Sequence, residues 1–269
     1  MNQPTPSDND RLVKLERQLE LVESHFNRAL WSTLDGMYDA TLPNRILRCI
    51  ICDLEQSWGM WKKRVDKCMF GGGKLERYEC PKCGCIFGPQ KYLDLDEEFV
   101  DHDYRLLYSR YAESDSTENE IQTFRSMEPE RIGPYLDWGC GGIWSRTVSR
   151  LRDEHYDVWG YEPSAETSSD FIVNHRQLIS ARFNGIFSNN VIEHFRTPVA
   201  QFQDFHNLLK DGGVMAHSSP CYEWSYAFTR FHTLFLLNNS PHILAERTGF
   251  RVKRRHQNGE YICYVFERV

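Results

Sequence analysis

The chain lacks any run of 18 or more apolar residues, and its first residues carry neither a basic segment nor the apolar core of an export signal. Membrane spanning and secretion are therefore not expected, and the expected compartment is the cytoplasm. A surplus of positive charge is missing too. The net charge is −6 over 269 residues, which argues against nucleic acid as the main partner, because phosphate binding wants a basic face. The short runs Lys62-Lys63-Arg64 and Arg251-Val252-Lys253-Arg254-Arg255 read as solvated edges. Cysteine is not scarce, but its nine copies are an odd number in a chain with no export signal, which sets disulfides aside. With 41% apolar and 26% charged residues, the composition is that of a globular protein with two or three units.

Five of the cysteines are clustered. Cys49-Ile-Ile-Cys52 is followed after 27 residues by Cys80-Pro-Lys-Cys83-Gly-Cys85. Each Cys-x-x-Cys knuckle points two sulfurs at one spot, so Cys49, Cys52, Cys80 and Cys83 are the expected ligands of a structural zinc, with Cys85 in reserve. Four thiolates leave no open position for substrate, so the metal's expected task is to hold together a segment too small for its own core. Met69-Phe-Gly-Gly-Gly-Lys74, between the knuckles, suits a hairpin turn. Upstream, Leu12, Leu15, Leu19, Val22, Phe26 and Ala29 follow a 3-4-3-4 spacing after the N-cap candidate Asp10, the pattern of a helix with one apolar seam. That seam needs a partner, either a second copy in a homodimer or the body of the same chain.

The stretch Tyr135-Leu-Asp137-Trp-Gly139-Cys140-Gly141-Gly142-Ile143-Trp144 reads as strand, tight turn and helix, with Trp144, Val148 and Leu151 on one helical face. Glycines let the backbone turn sharply and approach a ligand, and a helix start offers unpaired N–H groups. Glu162 follows 25 positions after Asp137, at the tip of Asp157-Val-Trp-Gly-Tyr161, where dinucleotide folds place the acid that grips ribose hydroxyls. Phe171–Asn174 is the third strand, and Phe183–Ser188 the fourth, running into Asn189-Asn190-Val-Ile-Glu193-His194. Leu208–His217 then reads as helix end, glycine turn and fifth strand, Ser240–Gly249 as a helix, and Phe250–Arg255 with Tyr261–Phe266 as a hairpin.

From about Pro134 to Val269 this order of pieces resembles the class I S-adenosylmethionine (SAM) methyltransferases, in the branch with a Glu-His motif after the fourth strand. The resemblance implies an α/β fold: a Rossmann-like seven-stranded sheet, preceded here by the N-terminal helix and a small zinc-ribbon domain. It also implies a cofactor site at Asp137, Gly139, Cys140, Gly141, Glu162, Asn189 and Asn190, with the loop on the methionine part and Glu162 on the ribose. One departure is plain: Ile143 stands where the family's third glycine belongs. The ribbon and the tyrosine-rich connector, Tyr92, Tyr104, Tyr108 and Tyr111, resemble the N-terminal part of sugar C-methyltransferases, which implies that Tyr108 or Tyr111 reaches the site.

The chemistry follows from the residue types. Methyl transfer from SAM needs a positioned nucleophile and a base for its proton; imidazole titrates in the useful range, and an adjacent carboxylate orients it. His194 is thus the candidate general base, with Glu193 and Tyr108 beside it. Tyr222, Trp224 and His232, in the loop after the fifth strand, are candidates to stack on an acceptor ring. The expected organisation is a tail and amphipathic helix over 1–45, a zinc ribbon over 46–90, a helical connector over 91–130 and a SAM-binding domain over 131–269. The expected reaction is SAM-dependent methylation of a hydroxyl or activated carbon on a small or carbohydrate acceptor. Two alternatives stay open: a zinc-containing RNA methyltransferase, against which the acidic balance counts, and a non-catalytic SAM-fold scaffold, which Ile143 keeps in view.

Overall fold

A computed structural model describes residues 8–71, 73–108 and 114–269, without the side chains of residues 8 and 108. Helix α1 (Asp8–Thr41) runs 34 residues and stops where Leu42-Pro43-Asn44 tightens into a 3₁₀ turn. Strands β1 (Ile46–Arg48) and β2 (Glu55–Ser57) pair antiparallel around the first cysteine knuckle. The hairpin of β3 (Lys62–Lys67) and β4 (Lys74–Glu79) follows, and the second knuckle leads into β5 (Ile86–Phe87). Three helices then connect to the larger sheet: α2 (Gln90–Leu93), α3 (Glu97–Tyr108) and α4 (Thr117–Ser126).

The second half contains β6 (Pro134–Trp138), α5 (Arg146–Asp153), β7 (Asp157–Tyr161), β8 (Ile172–Val173), β9 (Phe183–Asn189), α6 (Pro198–Leu208) and β10 (Leu209–Ser218). It closes with β11 (Leu234–Phe235), α7 (Ser240–Arg247), β12 (Phe250–Asn258) and β13 (Tyr261–Arg268). Seven strands form one sheet in the order β12-β13-β10-β9-β6-β7-β8. The five from β8 to β10 are parallel, and β13 inserts antiparallel beside β10. This is the expected Rossmann-like α/β architecture, with the N-terminal helix present. Central strands of such a sheet are covered on both faces, so they read as apolar runs rather than alternations: Tyr135 and Leu136 of β6 and Ile186 and Phe187 of β9 are all buried.

Two local features differ from expectation. Trp144 lies outside the helical face assigned to it: Ser145 caps α5, its side chain accepting the Val148 N–H at 3.2 Å, so the helix starts at Arg146 and Trp144 is left 66% exposed. The ribbon sheet also recruits a distant strand. Its order is β11-β5-β4-β3, with Leu234 opposite Phe87 and Phe235 opposite Ile86. A three-stranded ribbon would leave the β5 edge unpaired; the second half of the chain supplies the missing partner. Accordingly Trp61, Tyr78 and Phe87 belong to the same buried cluster as Leu136, Trp138 and Phe205.

Candidate active site

The glycine turn after β6 is fixed by the strand beside it. Gly139 and Cys140 both donate to the Tyr161 carbonyl, at 2.8 and 3.2 Å, and the Gly141 N–H donates to Glu162 Oε2 at 2.9 Å. Glu162 Oε1 accepts from the Ser164 N–H and hydroxyl, at 3.0 and 2.6 Å. Gly139 and Gly141 have φ of +83° and +85°, the left-handed region that side chains disfavour. A Cβ at Gly139 would lie 2.7 Å from Val191 Cγ2, so this turn packs directly on the segment leading to His194; around Gly141 there is open space. Ile143, in place of a third glycine, is 54% exposed. The Cys140 side chain is turned into the sheet, where a Cβ on Gly160 would meet its sulfur at 2.6 Å, so only its backbone faces the turn.

Asp137, under this loop, is 1% exposed, and its Oδ2 has no hydrogen-bond partner among the described residues. Burial, followed by the charges of Glu120 and Glu162, pushes its carboxyl well above the usual range. A buried acid among acids fits a cationic guest, and the ammonium of a SAM methionine moiety supplies such a charge. The lone pairs that Glu162 keeps after these bonds fit ribose hydroxyls.

The C-terminal ends of β9 and β10 open onto a cavity of about 290 Å³. Asn189 and Asn190 stand at its rim. The Ser218 hydroxyl donates to Asn189 Oδ1 at 2.7 Å, and the Asn190 N–H donates to the Ser218 carbonyl at 2.9 Å. A 3₁₀ turn over Ile192–His194 then carries Glu193, 1% exposed, and the half-buried His194 into the cavity wall. Burial holds His194 down to about 4, so its imidazole is neutral at physiological pH. Tyr104 of α3 and His232 meet it edge-on, with ring centroids 5.8 and 5.0 Å away. His232 Nδ1 lies 2.8 Å from the Tyr226 carbonyl, as its donor, and burial pushes this histidine well down too. One ligand atom each from Glu193, His194 and His232 fall within 4.8 Å of one another.

Tyr226, Phe228, Thr229 and His232 form the far wall, and the loop that carries them is stapled from two sides. Arg77 of β4, wholly buried, donates to the carbonyls of Ala227, Thr229 and His232 at 2.8, 2.6 and 3.1 Å. Arg230 forms a bidentate pair with Asp103 of α3 at 2.7 and 2.6 Å. The tip of the ribbon hairpin, Met69 and Phe70, lines the same cavity.

In the ribbon, the sulfurs of Cys49, Cys52, Cys80 and Cys83 all lie within 4.8 Å of one another and all four residues are buried. This is the donor set and spacing of a tetrahedral zinc site. Cys85 joins the cluster, its sulfur 3.4 Å from those of Cys49 and Cys83. Hydrogen bonds from Cys49, Cys83 and Cys85 hold the Cys80 thiol far below the usual range.

A methyltransferase-domain family profile matches residues 97–261, more than half of the chain. The chain belongs to the methyltransferase-domain family. Its activity is SAM-dependent methyl transfer. A search of curated proteins gives no match for this methyltransferase. Among solved structures, it is similar to the 1,6-didemethyltoxoflavin-N1-methyltransferase of Burkholderia thailandensis, which holds S-adenosylhomocysteine (15% identity, 73% of this chain and 95% of that one, TM-score 0.46). It is also similar to the CcbJ methyltransferase of Streptomyces caelestis (12% identity, 62% and 96% coverage, TM-score 0.43). A SAM-dependent methyltransferase of Mesorhizobium loti is similar as well (15% identity, 56% and 98% coverage, TM-score 0.41).

In this methyltransferase the turn at Gly139–Gly142, Glu162, Asn189, Asn190, Glu193 and His194 gather at the C-terminal edge of the sheet, where open parallel sheets bind ligands. Of the aromatic residues proposed for the acceptor, only His232 lines the cavity. Tyr222 is buried against Tyr264, and Trp224 lies on Phe235, because both fill the seam between loop and sheet. Tyr226 and Phe228, each 41% exposed, line the cavity instead. The Tyr108 side chain and all of Tyr111 lie outside the described residues. Arg77 and Arg230 were not legible in the sequence, and Tyr104 stood there only as one of four connector tyrosines, with Tyr108 or Tyr111 preferred for the site. Tyr104 sits one helical turn before Tyr108 and differed from it in no local signal, while the arginines act over 150 and 127 positions of chain.

Proposed function

We propose that this methyltransferase methylates a hydroxyl or activated carbon of a small uncharged acceptor, a carbohydrate being the best-matched class, with His194 as general base. SAM, when bound, supplies an electrophilic methyl group on a sulfonium. The acceptor atom would form its bond to that methyl as the carbon–sulfur bond breaks, and its proton would pass to His194, which burial keeps as the neutral imidazole. Glu193 would orient the imidazole, and Asn189 and Asn190 would hold the acceptor and the cofactor's reacting end at the strand tips. The observation that carries this reading is the cavity wall: it combines His194 with the carboxylates of Glu193 and Glu260, and with Asp115 already paired to Arg146 outside the lining, and has no lysine or arginine among its described residues. Such a lining repels phosphates and carboxylates, which counts against RNA and for a neutral acceptor rich in hydroxyls.

The four-cysteine cluster supports a structural zinc, and a chain whose cysteines serve a metal rather than disulfides supports a reducing, cytoplasmic location. The exposed seam of α1 supports self-association. The exposure of Ile143 supports catalysis over scaffolding, because the side chain does not fill the open space beside Gly141.

Replacing His194 with Ala tests the base. SAM binding should persist while turnover falls by a factor of about 10² or more; unchanged turnover would end the assignment. The Glu193, His194 and His232 grouping favours a second reading, a divalent cation that polarises the acceptor oxygen. Bound metal beyond one zinc per chain, lost in His232→Ala, would select it.

A further inference from the structure

Helix α1 uses two opposite faces. Leu12, Leu19 and Phe26 occupy the first position of successive heptads and Leu15, Val22 and Ala29 the fourth, and the five large ones are between 53% and 68% exposed. The contacts of α1 with the body lie at other positions. Asn27 and Leu34 are at the second, Asp35 at the third, and Trp31 and Tyr38 at the sixth. Trp31 is fully buried under the Arg230 guanidinium, 4.4 Å from its ring. Asp35 accepts the Lys74 N–H at 3.0 Å, and Tyr38 donates to Asp94 at 2.8 Å. The anchored face therefore looks inward while the seam looks away, and the chain's own body cannot cover the seam without releasing Trp31.

The flanking positions match the seam to its own copy. With two helices parallel and in register, the seventh position of one faces the following fifth position of the other, so Arg11 meets Glu16 and Gln18 meets Glu23. Antiparallel pairing instead sets fifth positions against each other, bringing Glu16 and Glu23 together with their counterparts. In the parallel arrangement the anchoring residues Trp31, Asp35 and Tyr38 lie on the faces opposite the seam, so each body attaches on the outer side of the pair. Most of a helix's stability in a protein comes from packing its apolar face, and pairing would bury roughly 1,000 Å², the lower edge of a specific interface.

We propose that two copies of this methyltransferase join through residues 12–29 as a parallel, in-register coiled coil, which makes specific the self-association read above. Light scattering on the full chain should give twice the 31.7 kDa chain mass at micromolar concentrations, and the chain mass for Leu19→Glu/Val22→Glu, with SAM affinity the same in both. Ala29→Cys should cross-link copies across the seam on oxidation, while the nine native cysteines are buried. Arg11→Glu should weaken the dimer, and Arg11→Glu/Glu16→Arg should restore it. A monomeric wild type, or a dimer that survives Leu19→Glu/Val22→Glu, would overturn the proposal. So would a dimer that Ala29→Cys fails to cross-link. Loss of SAM binding in wild type would instead strike the functional reading and leave this one standing.

Discussion

Asp137 shows how a residue suited to a ligand works against the ligand-free fold. Its carboxyl is buried beside two other acids, so its folded pKa is raised above the unfolded one, and stability contributed by its neutral form is lost as pH rises past the usual carboxylate value. Replacing Asp137 with Asn removes that titration. In differential scanning fluorimetry at pH 7.5 the ligand-free variant should melt above wild type, while its SAM affinity falls at least tenfold, about 1.4 kcal/mol. A lower melting point with unchanged affinity would contradict the assignment. At this scale the sequence was informative where structure is local to the chain: the glycines of the turn take positive φ, and the acid one strand over meets that turn, as their spacing predicts. Nothing singled out Tyr104 among the connector tyrosines, because its place is set by an edge-on contact with His194, 90 positions away in the chain.

At the scale of elements, the ribbon builds part of the cavity wall as well as carrying cysteines. Arg77 on β4 satisfies three carbonyls of the 226–235 loop, and its burial pushes even an arginine down to about 10. Arg77→Ala would strand those carbonyls. With roughly 1 kcal/mol or more per buried acceptor, we expect a loss of about 3 kcal/mol in urea unfolding and a matching loss of turnover; an effect under 1 kcal/mol would separate the ribbon from the site. The cysteine cluster makes a sharper distinction. Metal analysis should find one zinc per chain in wild type and in Cys85→Ser and none in Cys52→Ser, since Cys85 is the fifth sulfur around a four-coordinate ion. Zinc lost in Cys85→Ser and kept in Cys83→Ser would exchange those two roles. The cysteine spacing was legible in the sequence. The fourth ribbon strand was not, because Leu234 and Phe235 are two residues with no periodicity, and only the free edge of β5 gives them a place.

At the scale of the whole molecule, a histidine kept neutral in the core ties stability to pH. His217, 0% exposed among Phe202, Phe205 and Phe266, is held down to about 3 by burial, with Nδ1 2.7 Å from the Ser188 hydroxyl. A folded pKa below the unfolded one stabilises above the unfolded value, and that stability drains as pH falls from about 6.5 toward 3. Between pH 6 and 4.5 this single group should remove up to about 1.4 kcal/mol of stability per pH unit. The unfolding free energy of His217→Phe should fall less steeply than that of wild type over that range, whatever its absolute value; identical slopes would contradict this. The seven-stranded fold itself was legible from the order of its pieces, because strand, turn and helix signals recur along one half of the chain. How ribbon, connector and sheet close around one cavity was not legible, since that closure depends on Arg77, Arg230 and β11 meeting partners more than 100 positions away.

Calorimetric titration of SAM into the intact protein, beside Gly139→Val and Glu162→Ala, tests the central claim most directly. Micromolar binding by wild type is predicted. It should be lost in Gly139→Val, where a side chain would drive into Val191 at the cofactor turn, and weakened at least tenfold in Glu162→Ala. Wild-type protein that holds its zinc and binds no SAM, or SAM binding untouched by both substitutions, would contradict the account of where and how this methyltransferase holds its cofactor.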